Sequence, residues 1–234
     1  MRVLLFFFTI ASALAQIEHP RLGLMPDQDG AARPVQGVAG SVTLGDAMVT
    51  GVQALACSKR LCLVKTGASL VSLSGESADA PPGPALFALD GNAAFVYFER
   101  SRRLARWHEG RLDPVDFAVD GEVLALRVTD GGALEIAVAR DDGVWLVHGD
   151  GTVIDSLPAG PLMLLKRAVI YSAADGEVVL RRADGTELQF GVAGAESFFA
   201  LGEGYVGVRA GNLTWAIRIE PGLEQAFLLP GAAP

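Results

Sequence analysis

Apolar positions along the chain fall into short runs, each broken by a tight glycine turn and followed by a second run. The clearest copy is residues 144–160, VWLVHGDGTVIDSLPAG. Further copies occupy residues 21–40, 68–83, 103–121, 177–194 and 213–231. Their turn glycines, Gly30, Gly75, Gly110, Gly151, Gly185 and Gly222, are spaced by 45, 35, 41, 34 and 37 residues. The closing glycines Gly40, Gly83, Gly121, Gly160, Gly194 and Gly231 keep a similar step of 43, 38, 39, 34 and 37. Two markers with one rough period predict a repeat architecture, a solenoid or a propeller. Acidic-Gly pairs before a strand suit tight hairpins, because glycine takes positive φ without a Cβ clash. Pro221-Gly222 suits a turn in which proline fixes φ at the first central position.

A second kind of hairpin lies between these copies, at residues 52–65, 85–99, 123–139, 162–174 and 197–210. Its runs are apolar almost throughout rather than alternating, the pattern of strands buried on both faces. The copies that follow carry more charge, as at Arg181, Arg182 and Glu187. Each unit thus reads as two inner, buried strands and two outer, wetter ones, which is a propeller blade. The expected fold is all-β, a propeller of five to six four-stranded antiparallel blades. No window shows the 3.6-residue period of an amphipathic helix.

The N-terminal part fits this plan least well. Residues 16–40 hold an outer-type hairpin with no inner hairpin before it. Two arrangements follow: an extra hairpin that closes a five-bladed ring, or a sixth blade completed by residues 41–50. Closure matters because an open ring leaves unpaired strand edges. Residues 1–15 read as a secretory signal peptide. Arg2 is its basic start, VLLFFFTI its apolar stretch and Ala13-Leu14-Ala15 a small-x-small cleavage site. Residues 16–234 then form a single propeller domain, periplasmic or secreted, and no stretch is long enough to span a membrane.

The chain has 234 residues, half of them apolar, so a sizeable core is available. Its net charge is −8, and about −9 once Arg2 leaves with the leader. Phosphate backbones repel such a chain, which argues against nucleic acid as a partner. The same charge argues against docking on an anionic lipid surface.

Cys57 and Cys62 are the only cysteines and flank SKRL at a hairpin tip. Four intervening residues let them face each other across the strands, within disulfide reach. Export permits oxidation, so a bridge is expected, two buried thiols being the alternative. The spacing is not that of a redox-active Cys-x-x-Cys pair.

Candidate chemistry is otherwise sparse. His108 and His148 sit beside outer-hairpin turns and His19 near the N-terminus, with no metal-ligand spacing among them. Asp27-Gln28-Asp29-Gly30 has the start of a calcium loop without its later ligands, and reads as a turn. There is no nucleophile elbow, P-loop or dinucleotide fingerprint. Asn212-Leu213-Thr214 matches a glycosylation sequon, and residues 100–103, RSRR, make a small basic turn. Trp107, Trp145 and Trp215 recur in outer hairpins, and Tyr97, Tyr171 and Tyr205 in inner ones, as packing between blades requires. No catalytic, cofactor or metal residue is assigned.

This pattern resembles exported bacterial β-propeller repeat proteins of the WD40-like and YVTN/NHL-like kind, although the WD dipeptide and strict YVTN or NHL signatures are absent. The resemblance covers nearly all of the mature chain. It implies a propeller that binds partners on its loop faces or in its central channel, and it carries no catalytic residue across. The expected function is a non-catalytic module that binds a protein or glycan. The alternative is a hydrolase or lyase with acids around the channel.

Overall fold

The computed structural model describes residues 20–27 and 29–230, so the expected leader and His19 lie outside the described residues. It shows a six-bladed β-propeller, each blade an antiparallel sheet of four strands. Blade 1 is β1 (Arg21–Pro26), β2 (Ala31–Val38), β3 (Ser41–Leu44) and β4 (Val49–Thr50). Blade 2 is β5 (Ala54–Cys57), β6 (Cys62–Lys65), β7 (Ser69–Ser72) and β8 (Ser77–Asp79). Blade 3 is β9 (Ala85–Asp90), β10 (Ala93–Phe98), β11 (Arg103–His108) and β12 (Arg111–Val115). Blade 4 is β13 (Glu122–Val128), β14 (Leu134–Arg140), β15 (Gly143–His148) and β16 (Val153–Leu157). Blade 5 is β17 (Leu162–Leu165), β18 (Ala168–Ser172), β19 (Glu177–Arg182) and β20 (Glu187–Ala193). Blade 6 is β21 (Ser197–Gly202), β22 (Tyr205–Ala210), β23 (Leu213–Arg218) and β24 (Gln225–Leu228).

Blades 2 to 6 follow the repeat, each strand pairing with the next from the centre outward. The turn chemistry behaves as the dipeptides require. Glu109 and Gly110 both have positive φ, 47° and 76°, the signature of a tight primed hairpin turn. At Pro221-Gly222 the Leu223 amide donates to the Glu220 carbonyl over 3.0 Å, and Gly222 has φ 80°. That is the type II turn that proline followed by glycine favours.

The core is divided among the joints between blades. Six apolar clusters each draw on two neighbouring blades. Leu63 and Leu70 meet Val96 and Trp107 between blades 2 and 3. Tyr97 and Leu104 meet Ile136 and Val138 between blades 3 and 4. Leu146 and Leu157 meet Val169 and Tyr171 at the next joint, and Ile170 and Phe190 meet Val206 and Ile217 beyond it. Leu201 and Phe227 meet Leu22 and Val35 at the seam between last and first blades. Leu24 and Ala32 meet Leu55 and Val64 to complete the circle. Each blade buries both faces only because its neighbours stand beside it. Outer strands are wetter, as in β16, where four of five residues are exposed.

Blade 1 departs from the plan. β3 and β4 lie end to end along β2, rather than as successive layers. β1 also runs opposite to β21. Its start packs on the end of β21, where Gly23 meets the Leu201 carbonyl. Its end meets the start of β21: Arg209, the register partner of Ser197, donates a guanidinium N–H to the Pro26 carbonyl over 2.8 Å. β1 to β4 therefore occupy the directions of the second, third and fourth strands of a regular blade. At this place β21 and β5 pack directly against each other, with β1 behind both. The stretch that reads in sequence as a lone outer hairpin, joined by residues 41–50, builds the sixth blade.

Candidate binding channel

The inner strands β5, β9, β13, β17 and β21 surround a channel of about 1000 Å³ that reaches both faces of the ring. Of the described residues of blade 1, only Pro26 reaches its wall. Each inner strand is bonded to a neighbour on one side only, so its free backbone edge faces the channel, and the apolar side chains beside it also pack into the joints between blades. Leu86, Phe87, Leu124, Met163, Phe198 and Phe199 all contribute, and none of the six is fully buried. Polar side chains concentrate at the two ends.

One mouth lies at the ends of the inner strands. Ser58, Lys59 and Arg60 form its blade-2 rim on the tip of the β5–β6 hairpin, and Asp90, Lys166 and Glu203 complete it. The tip is stapled: Cys57 and Cys62 are register partners and are joined by a disulfide, as their spacing predicted. Ser58 Oγ accepts the amide of Leu61 over 3.1 Å, which holds the turn shut. Lys59 lies 3.8 Å from Glu203. Lys166 lies 2.8 Å from Asp130, which Arg167 also reaches. These two cations hold the Asp130 carboxyl below its ordinary value. Arg127 is tied to Glu135 and donates to the carbonyls of Leu165 and Ala168, both over 3.2 Å, so it clamps blade 4 to blade 5. Arg60 has no side-chain partner among the described residues.

The other mouth lies at the starts of the inner strands, near Gln53, Pro84, Glu99 and Arg209. Partial desolvation, and then the charge of Glu122, push the Glu99 carboxyl up. The Arg209 guanidinium is committed to Pro26.

Lys65 is a residue that sequence reasoning passed over. It is fully buried at the end of β6, and its ammonium donates to the carbonyls of Thr66 and Gly67, the latter over 3.2 Å. Burial without a carboxylate partner lowers its pKa. Sealed from solvent, the amine is not offered to a ligand.

The other sequence candidates are dispersed. His108 and His148 are exposed at outer turns, and Asn212 is exposed at the β22–β23 turn. Among the described residues no three His, Cys, Asp or Glu side chains cluster as metal ligands would. Asp27 closes a turn: it accepts the Ala31 amide over 2.7 Å and Arg33 Nε over 2.6 Å. Trp107 and Tyr97 are buried between blades, as their recurrence implied. No helix among the described residues is long and apolar enough to cross a membrane. The disulfide fits an extracellular or periplasmic protein.

Comparison with known proteins supports the fold alone. No protein-family model matches the chain. No curated protein matches it either. Among solved structures, the nidogen/laminin complex superposes with a TM-score of 0.56 at 16% identity, over 88% of this chain and 92% of that one. PorZ is an essential surface component of the type-IX secretion system of Porphyromonas gingivalis. It gives 0.54 at 14% identity over 92% of this chain, which spans only 39% of PorZ. Hsv2 of Kluyveromyces lactis gives 0.48 at 13% identity, over 76% of this chain and 63% of that one.

Proposed function

We propose that the chain is an exported, non-catalytic recognition or scaffold module that binds a protein or glycan across the mouth rimmed by Lys59, Arg60, Asp90, Lys166 and Glu203. The observation that carries this reading is the anatomy of that mouth. Charged side chains of both signs ring the opening, with polar backbone and apolar side chains of the inner strands below them, the mixed surface that protein-binding patches present. The rim also stands on a disulfide-stapled tip and a packed ring, so little ordering opposes association. Among proteins of similar fold, one structure is of a complex and another belongs to a secretion-system surface component. The leader at residues 1–15 supplies the export; N-terminal sequencing of the secreted chain beginning at Gln16 tests it.

Parallel capture from an envelope or extracellular fraction tests the binding. The chain is expected to retain a partner that the Lys59→Glu, Arg60→Glu variant loses. Identical capture by both would contradict it. The hydrolase or lyase alternative is favoured only by the Glu99–Glu122 pair. Turnover by the purified chain, lost in Glu99→Gln, would replace the binding reading.

A further inference from the structure

A second cavity opens beside the disulfide-bearing mouth, where blade 1 has no inner strand. It holds about 480 Å³, within the range of ligand-binding clefts. One wall is β1 from Arg21 to Leu24, which stands here behind the tips of the β5–β6 and β21–β22 hairpins. Cys57, Ser58, Lys59, Gly202, Glu203 and Tyr205 line both this pit and the channel mouth. The pit is therefore a side branch of the rim already described.

Its surface is mostly apolar. Leu22 and Leu24 are buried in the joints on either side of blade 1. Met48 and Leu73, which also line the pit, are 48% and 36% exposed. Methionine adapts its shape to whatever covers it and recurs at binding surfaces. Burying a sugar hydroxyl against these two side chains costs free energy, whereas burying an apolar side chain gains it. The charges at the pit are unbalanced. Arg21 has no side-chain partner among the described residues, and neither has Arg60 on the adjoining tip. Lys59 and Glu203 meet loosely, at 3.8 Å, with both side chains exposed. Asp46 and Glu76 are close to Met48 and Leu73 in the chain but do not line the pit, and Glu76 accepts from Ser72 and Ser74. Three cations thus face one carboxylate. The net charge of −8 does not oppose this, because screening confines each charge to about 8 Å at physiological salt.

We propose that the pit is the anchor site for the partner of this rim, and that the partner is a protein. Its linear segment places an apolar side chain against Met48 and Leu73 and a carboxylate at Arg21. This inference rests on the reading of the mouth as a binding face and names the chemistry of what binds there.

Selection of phage-displayed random linear heptapeptides on the mature chain tests it. The enriched peptides are expected to share Leu, Ile, Met or Phe close to an Asp or Glu. A synthetic copy of the strongest should bind at least about tenfold more weakly when that apolar residue becomes serine, the lower end for burying one such side chain. Leu73→Glu, at an exposed turn, should weaken it as much with unchanged thermal unfolding. Arg21→Glu should weaken it several-fold, yet leave unaffected a copy whose acid is replaced by glutamine. Bound peptide should protect Met48, and not Met163 of the channel wall, from oxidation by hydrogen peroxide, read by mass spectrometry. An empty selection, peptides without the apolar residue, protection of Met163 instead of Met48, or undiminished binding to Leu73→Glu would each overturn the proposal. So would an envelope partner that is a glycan, or one that Leu73→Glu retains, and either would leave the proposed function standing. A peptide bound as expected, with no envelope partner captured, would count against the proposed function only.

Discussion

Gly23 and Gly202 lie backbone against backbone where the first and last blades meet. A Cβ on Gly23 would fall 1.5 Å from the Leu201 carbonyl oxygen, and one on Gly202 would fall 2.0 Å from that of Leu22. No side chain fits in either space. Blade 1 lacks a strand running with the other inner strands, so its seam with blade 6 depends on this approach and on the cluster of Leu22, Leu201 and Phe227 behind it.

Replacing Gly202 by Ala should therefore cost more than about 2 kcal/mol, the range of substitutions that force a backbone shift. Gly191→Ala is the control, because a Cβ there meets nothing within 4 Å. It should stay within about 0.5 kcal/mol. Urea unfolding of the three proteins measures both.

The Cys57–Cys62 bridge closes a short loop, with a sequence separation of 5. Chain-entropy arithmetic gives such a loop about 2 kcal/mol. Dithiothreitol should lower the Tm of the chain and leave that of the Cys57→Ser, Cys62→Ser variant unchanged. An equal response in both would show that the bridge adds no stability.

Lys65 gives a dependence on alkaline pH. Its folded pKa lies below 10.5, so between the two values the unfolded chain binds the extra proton. Stability should rise as pH climbs through that window and level off above it. Lys65→Met should flatten the slope and be neutral or stabilising at pH 7, since it removes a buried charge at similar volume. Denaturation from pH 7 to 10.5 tests both; a slope preserved in Lys65→Met would assign it elsewhere.

Asp27 gives the opposite dependence. Burial raises its pKa, but the Ala31 amide and the Arg33 guanidinium outweigh this and hold it below 3.8. Its contribution is complete above 3.8 and is lost as pH falls through the lower folded value. Asp27→Asn should cost about 1.5–3 kcal/mol at pH 7, the range for hydrogen bonds to charged groups. It should also lose less stability than the parent on acidification to pH 2. Equal acid sensitivity would remove Asp27 from that role.

Much of this fold is legible in the sequence, for a physical reason. Acidic-Gly turns mark the outer hairpins, and unbroken apolar runs such as residues 85–99 mark the inner ones, so blades 2 to 6 follow from the repeat. Blade 1 is harder to read. Its Asp29-Gly30 turn makes residues 21–40 look like an outer hairpin, yet β1 packs behind the inner ring, a consequence of closure over the full length of the chain. The channel wall is hidden too. Where both faces of a strand are apolar, periodicity cannot separate Leu124, packed towards the joint between blades 4 and 5, from Val123, in the joint between blades 3 and 4, nor show which edge faces the channel. Lys65 ends such a run, where a cation reads as reaching solvent; its capture by the Thr66 and Gly67 carbonyls depends on local geometry that no pattern encodes.

A crystal structure of the mature chain tests the central claim most directly: six blades close around an open channel, with β1 antiparallel to β21 and behind it. The expected result is Gly23 against Gly202 and an unobstructed passage bounded by β5, β9, β13, β17 and β21. A β1 detached from blade 6, or a channel filled by the chain's own side chains, would contradict it.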